Sequence, residues 1–211
     1  MIKVAFLFDR SNDWLAEFLP DYGKKFPKFK FSQIYDEQKV RGFDITFVLG
    51  YTKVLRGDVI NANNLLLVVH ESDLPNGRGF SPLQWQVLSG ENIITVSLLK
   101  VSKDYDAGDI CDTVLLELDG TELYDELRYK QAKATFNLIE HFLGKYPDNN
   151  YRKQVGKPSI YPRRTPADSK LDIDKTIRDQ FNLLRICNNQ DWPAFFEISG
   201  VKYALKIEKI D

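Results

Sequence analysis

Leu65-Leu-Leu-Val-Val-His70-Glu-Ser-Asp-Leu-Pro75-Asn-Gly-Arg-Gly-Phe80-Ser-Pro82 is the stretch from which the fold follows. The apolar residues before His70 leave no polar face, the pattern of a strand buried on both sides. The proline and glycines after it break the strand and describe a loop. Ser81 to Leu88 then reads as a helix, with Ser81 as N-cap, Pro82 in the first turn and Gly90 as the stop.

The same alternation continues in both directions. Ile2-Lys-Val-Ala-Phe-Leu-Phe8 is almost continuously apolar and runs into the polar turn Asp9-Arg-Ser-Asn-Asp13. Trp14 to Leu19 reads as a short helix, Phe29 to Tyr35 as a strand, and Asp44 to Gly50 as another buried strand. Downstream, Ile93 to Val101 and Ile110 to Leu118 are strands separated by the Asp104 to Asp109 turn. Thr121 to Tyr146 is one long amphipathic helix ended by Pro147. Strands alternating with helices predict right-handed crossovers and an α/β fold: a Rossmann-like, mostly parallel sheet flanked by helices. Residues 1–147 form the main domain. From Asp148 the composition shifts. Residues 148–172 read as a crossing segment or linker, Asp174 to Asn188 as a helix capped by Asp174, and Ala194 to Ile207 as a β-hairpin turning at Ser199-Gly200. Residues 148–211 are therefore expected to form a small extension.

Composition excludes several classes. Hydrophobic residues make up 43% and charged residues 28%, without an apolar run of membrane-spanning length or a basic leader into an apolar stretch. No membrane partner and a cytoplasmic location are expected. Cys111 and Cys187 are the only cysteines and stand far apart, which argues against a disulfide framework or a metal site. A net charge of −1 lacks the basic footprint of nucleic-acid binders.

In an open parallel sheet, ligands bind outside the carboxyl ends of the strands. That rule selects Asp9–Asp13, Tyr51–Lys53, His70–Gly79 and Lys103–Asp109. His70, with Asp106 placed 36 positions later in a turn, is an acid/base candidate: a carboxylate can fix the imidazole tautomer and support its charged form. Gly77 and Gly79 are plain loop glycines, or they let backbone approach a ligand. His141, inside the long helix, reads as structural or exposed. Neither a phosphate loop nor a dinucleotide glycine fingerprint follows the first strand, which argues against a nicotinamide dehydrogenase.

His70 with Ser72-x-Leu74-Pro75, Arg78-Gly79 with Pro82 and Gln84-Trp85, and Asp106-x-Gly108-Asp-Ile110 together resemble the folate-dependent formyltransferases. That group holds methionyl-tRNA formyltransferase, glycinamide ribonucleotide transformylase and the sugar N-formyltransferases. The likeness covers roughly residues 1–145, which it marks as the catalytic domain. The resemblance implies formyl transfer from 10-formyltetrahydrofolate, as co-substrate, to a primary amine. His70 would stabilise the oxyanion or shuttle the proton, and Asp106 would orient His70 or take the proton; which is the base stays open. The implied folate pocket lies around Leu65, Leu67, Arg78, Gly79, Lys103, Asp104 and Tyr105. One departure is plain: the family's asparagine two positions before the histidine is Val68 here, which has no side-chain donor. Losing an oxyanion donor costs ~100- to 1000-fold in rate. Asn63 and Asn64 lie at the start of the strand, too far to replace it.

Tyr161-Pro-Arg-Arg-Thr-Pro-x-Asp168 resembles the Arg-Thr-Pro segment of the sugar-modifying members. With the near-neutral charge, it favours an amino sugar on a nucleoside diphosphate, thymidine diphosphate for preference, in surface-polysaccharide (O-antigen) synthesis. Arg10, Ser11, Asn12, Lys53, Tyr161, Arg163 and Arg164 are the candidates for that substrate. Trp14 and Trp85 read as core rather than as stacking platforms. A hydrolase of formyltetrahydrofolate and an inactive ligand-binding relative are the alternatives. The apolar alternation of Phe195, Phe196, Tyr203 and Leu205 points to a homodimer.

Overall fold

Burial explains the strands. In a computed structural model, which describes residues 1–53 and 55–210, Val4 to Phe8 and Ile45 to Leu49 are buried throughout, so both faces of these strands are covered. The chain runs β1 (Ile2–Phe8), α1 (Tyr22–Lys25), β2 (Phe29–Ile34), β3 (Ile45–Leu49), α2 (Gly57–Asn61), β4 (Leu66–His70), β5 (Arg78–Gly79), α3 (Pro82–Leu88), β6 (Ile93–Lys100), β7 (Ile110–Glu117) and α4 (Tyr124–Lys145). It continues through β8 (Ile160–Tyr161), α5 (Phe181–Arg185), β9 (Ala194–Ile198) and β10 (Val201–Leu205). Trp14–Phe18 is a 3-10 turn.

The main sheet has the order β2-β1-β3-β4-β6-β7. The first four strands are parallel, whereas β6 runs antiparallel to both β4 and β7. The expected mostly parallel sheet flanked by helices is present. One face carries Phe6, Phe47, Leu67 and Leu98 against Phe136, Ile139 and Phe142 of α4, with Phe47 and Phe142 edge to face at 5.8 Å. The other face carries Leu7, Val48 and Leu66 against Val40 and Val59. No helix among the described residues is long and apolar enough to cross a membrane.

Three local expectations fail for identifiable reasons. Ser81 does not cap α3 with its side chain: it sits in the left-handed region at φ 51° rather than in the extended backbone of a capping serine, and its side chain makes no cap hydrogen bond. The long helix begins at Tyr124 rather than Thr121, because Thr121 is held by Asp119 while Glu122 accepts the amides of Asp119 and Gly120. The helix expected over Asp174 to Asn188 is confined to a 3-10 turn at Arg178–Gln180 and α5. Upstream, the Gln180 amide bonds both the N–H and the carbonyl of Asp172, closing a turn where helix would otherwise propagate.

The hairpin turns at Ser199-Gly200, both at positive φ, the I′ geometry that matches strand twist. Residues 148–172 thread back over the sheet, where Arg152 exchanges backbone hydrogen bonds with Ile110 and β8 pairs with β5. Arg185 of α5, 2% exposed, forms a 2.7 Å ion pair with the buried Glu122 and so ties the extension to the approach of α4.

Phe47→Ala should lower unfolding free energy by about 3–5 kcal/mol, the cost of a large cavity between sheet and helix. Urea denaturation followed by circular dichroism measures it.

Candidate active site

At the carboxyl end of β4 the chain turns back on itself. The His70 imidazole is 5% exposed; its Nε2 lies 2.7 Å from the Gly77 carbonyl and therefore donates to it. Nδ1 faces Asp106 Oδ2 at 3.6 Å, beyond hydrogen-bond reach, while that same oxygen accepts the Gly79 amide at 3.0 Å. The Gly77 carbonyl, not Asp106 as expected, fixes the tautomer and orientation of the ring. With Nε2 protonated, Nδ1 is left as the nitrogen that can take a proton, and Asp106 stands ready to support the charge.

Close approach governs the glycines. A Cβ on Gly77 would come within 2.5 Å of the Tyr161 ring, and one on Gly79 within 2.5 Å of the Tyr161 carbonyl, both at positive φ. A Cβ on Gly108 would sit 1.8 Å from the Lys100 carbonyl, so the Asp-x-Gly turn lies flat against β6 only because that residue is glycine. Asp106 itself takes φ 49°, a conformation that Asp tolerates better than most residues. Gln154 holds the turn: its amide donates to the Asp106 and Gly108 carbonyls, and its oxygen accepts from Arg78.

The Asp106 turn reaches His70 by a route the strand-end rule did not describe. Because β6 is antiparallel, its carboxyl end lies away from His70. Residues 101–109 fold back along the sheet face that carries Val68 and Leu99.

These elements enclose a cavity of about 600 Å³ that turns over the edge of the sheet. On one face it is walled by Tyr51, Leu55, Ile60, Val68 and Val101, with Ser102 to Asp106 at the rim. On the other it is walled by Trp14, Val69 and Ile186, with Tyr124, Arg128, Gln131 and Thr135 projecting from α4. Burial, Glu37 and nearby acids push the Tyr51 phenol up to about 12, keeping it neutral.

Ser11, Asn12, Lys53, Gly79, Lys103, Asp104, Tyr105, Arg163 and Arg164 all line this cavity with His70 and Asp106. Arg10, Leu65, Leu67, Arg78 and Tyr161 do not. Arg10 lies over the Tyr35 ring, Leu67 is buried in the core, Arg78 is engaged by Gln154, and Tyr161 stacks on Trp85 at 6.4 Å. Trp14, expected in the core, is part of the wall and lies under the Arg128 guanidinium at 4.4 Å. His141 is half exposed on α4. Val68 stands in the wall on the same face of β4 as His70, and Asn63 is turned away to the Val40 and Val59 carbonyls.

Sequence reasoning missed Glu71 and the α4 row Tyr124, Arg128, Gln131 and Thr135. The signal was present: polar side chains at helical spacing on a face otherwise buried. Asp9, within the selected loop Asp9–Asp13 but not singled out there, organises the loops after β1 and β3. Burial pushes its carboxyl up, but hydrogen bonds from Thr52 and Ser11, with Lys53 nearby, outweigh that and hold it well below the usual carboxylate range.

Residues 28–140, over half of the chain, match the family model described as formyl transferase, and the chain belongs to that family. A methionyl-tRNA formyltransferase from Mycoplasmopsis pulmonis is 30% identical over 161 residues, covering 74% of this chain and 56% of the relative. The chain spans about half the length of the curated relatives it matches. Among solved structures, methionyl-tRNA formyltransferase from Clostridium thermocellum superposes with TM-score 0.85 at 20% identity, covering 100% of this chain and 94% of that one. A likely sugar N-formyltransferase from Mycobacterium tuberculosis gives TM-score 0.75 at 15% identity, with both chains covered in full. HypX from Aquifex aeolicus in complex with tetrahydrofolic acid gives 0.76 at 17%, covering 97% and 37%. These likenesses establish the fold.

A depressed carboxyl such as Asp9 contributes stability in full above the unfolded-state value of ~3.9 and loses it as pH falls toward the folded value. Asp9→Asn should therefore destabilise the protein most at pH 7 and progressively less below about pH 4. Thermal melts of both proteins across that range measure the narrowing gap.

Proposed function

We propose that the protein is an N-formyltransferase that moves a formyl group from 10-formyltetrahydrofolate to the amine of a nucleotide-linked amino sugar. The observation that carries this reading is the placement of His70 and Asp106, 3.6 Å apart, in a cavity open to both faces of the sheet. Transfer needs two substrates to meet at one proton-handling group from different sides. A formyltetrahydrofolate hydrolase would need only one of the two walls.

The residues fit each substrate. The wall of Tyr51, Leu55, Ile60, Val68 and Val101 offers an apolar slot for a flat ring, and the adjacent backbone of residues 101–105 offers peptide groups to its edge. Folate bound there supplies the formyl group. As the amine adds to the formyl carbon, His70 receives the released proton at Nδ1, and as the bond from that carbon to the folate N10 breaks, His70 returns the proton to N10; the Gly77 carbonyl keeps Nε2–H in place and Asp106 supports the imidazolium. For the acceptor, Arg163 and Arg164 of the Arg-Thr-Pro segment line the cavity, and they suit a diphosphate. Arg163 is positioned by a bond to the Thr52 carbonyl and by the Phe80 ring. With 29 Lys and Arg against 30 Asp and Glu, the chain carries no net excess of the basic charge that a tRNA acceptor calls for, which favours the sugar nucleotide, thymidine diphosphate-linked, of surface-polysaccharide synthesis.

Incubation with 10-formyltetrahydrofolate and a panel of nucleotide-linked amino sugars should give acceptor-dependent tetrahydrofolate. His70→Ala should lower that rate at least ~100-fold; an unchanged rate would overturn the site. Formate without acceptor would mean hydrolysis instead. Val68→Asn restores a donor to the wall beside His70 and should raise the rate by up to ~100-fold, whereas a flat response would show that another group already serves there.

The hairpin leaves Ile198, Val201 and Tyr203 about half exposed, which supports a homodimer. Light scattering should give twice the 24.4 kDa chain mass, and a monomer at micromolar concentration would remove the idea.

A further inference from the structure

Glu71 follows the catalytic histidine in sequence but faces the other way. Alternate residues of β4 point to opposite faces: Val68 and His70 to the side of the Asp106 turn, Val69 and Glu71 to the side of α4. Glu71 is 9% exposed and lines the cavity. Its carboxylate accepts one hydrogen bond, from Gln131 Nε2 at 2.6 Å, and among the described residues no Lys, Arg or His nitrogen pairs with it. Gln131 in turn accepts from Arg128, whose guanidinium also bonds the Tyr124 hydroxyl and covers Trp14. The amide of Gln131 aims the carboxylate without neutralising it.

A buried carboxylate without a counter-cation is unfavourable unless something positive completes it. Oδ2 of Asp106 is already engaged by the Gly79 amide and lies on the other side of His70. Glu71 is thus a buried acid without a cation partner on the α4 side of the cavity, one residue from the histidine proposed to handle the proton, whereas Asp191, which also lines the cavity, is exposed. A primary amine in neutral water is an ammonium ion, and an ammonium is the charge and size this position lacks.

We propose that Glu71 binds the ammonium group of the acceptor and is the residue by which the site distinguishes an amine from a hydroxyl at the reacting carbon. Gln131 is its positioning residue, and Arg128 orients Gln131. This rests on the formyl-transfer reading with an amino-sugar acceptor. A purely structural Glu71 would hold α4 through Gln131 and leave that discrimination untouched.

Calorimetric titration of the full protein with thymidine diphosphate-linked 3-amino and 4-amino dideoxyhexoses, and with their hydroxyl counterparts, separates the possibilities. The wild type should bind an amine at least tenfold more tightly than its hydroxyl counterpart, the order of one charge-assisted hydrogen bond. Glu71→Gln should erase that preference while tetrahydrofolate still binds, and Glu71→Asp should keep part of it. Equal wild-type affinity for amine and hydroxyl overturns the proposal by itself, even if Glu71→Gln fails to fold. A Glu71→Gln protein that keeps the full preference also overturns it. Failure of the wild type to bind any of these nucleotides overturns the acceptor reading instead, and the proposal with it.

Discussion

The hydrogen bond from His70 Nε2 to the Gly77 carbonyl constrains everything around the site. It requires the loop after β4 to return to its own starting point, so that the strand end and the loop close on each other. Closure brings the Gly77 and Gly79 backbone against Tyr161, where a side chain on either glycine would collide. The crossing segment therefore has to lie over the histidine loop, and β8 pairs with β5 there. Through Gln154 the same segment holds Arg78 and the Asp106 turn. Residues beyond 147 in this way take part in the geometry of the candidate site.

A second consequence follows from the pleat of β4. Consecutive residues at a strand end face opposite layers, so a cavity that turns over that end is lined by both. The apolar wall of Val68 and Val101 stands on one face, and the polar row of α4 on the other. Only at the edge do the two meet, and His70 stands there. A single strand thus presents chemically different surfaces to the two arms of one cavity without any insertion in the fold.

Much of this was legible along the chain. Runs such as Ile2–Phe8 and Leu65–Val69 identify themselves because a strand covered on both faces has no polar positions to interrupt it. His70 and Asp106 were legible as a spaced motif, because loop residues with special backbone demands, Gly77, Gly79 and Gly108, surround them. What failed was local capping and helix extent. Ser81 and Asp174 have the right side chains for caps, but Ser81 is held in the left-handed region and the Gln180 amide closes a turn between Asp174 and α5. Arg10 and Tyr161 were equally plausible as ligands until aromatic neighbours claimed them.

By itself the sequence determined the α/β layering, the carboxyl-edge location of the candidate site and the two residues proposed to handle the proton, because these depend on periodicity and on backbone demands that act within a few residues. Tertiary structure alone decided the antiparallel course of β6, the hold of Gln154 on the Asp106 turn and the assembly of Glu71, Gln131 and Arg128 into one row. Apart from Arg128 with Gln131, one turn apart on α4, each of those contacts joins residues far apart in the chain. Charge and hydrogen-bonding capacity can be read from a residue's type, but the partner that completes or withholds them is set only when the layers pack.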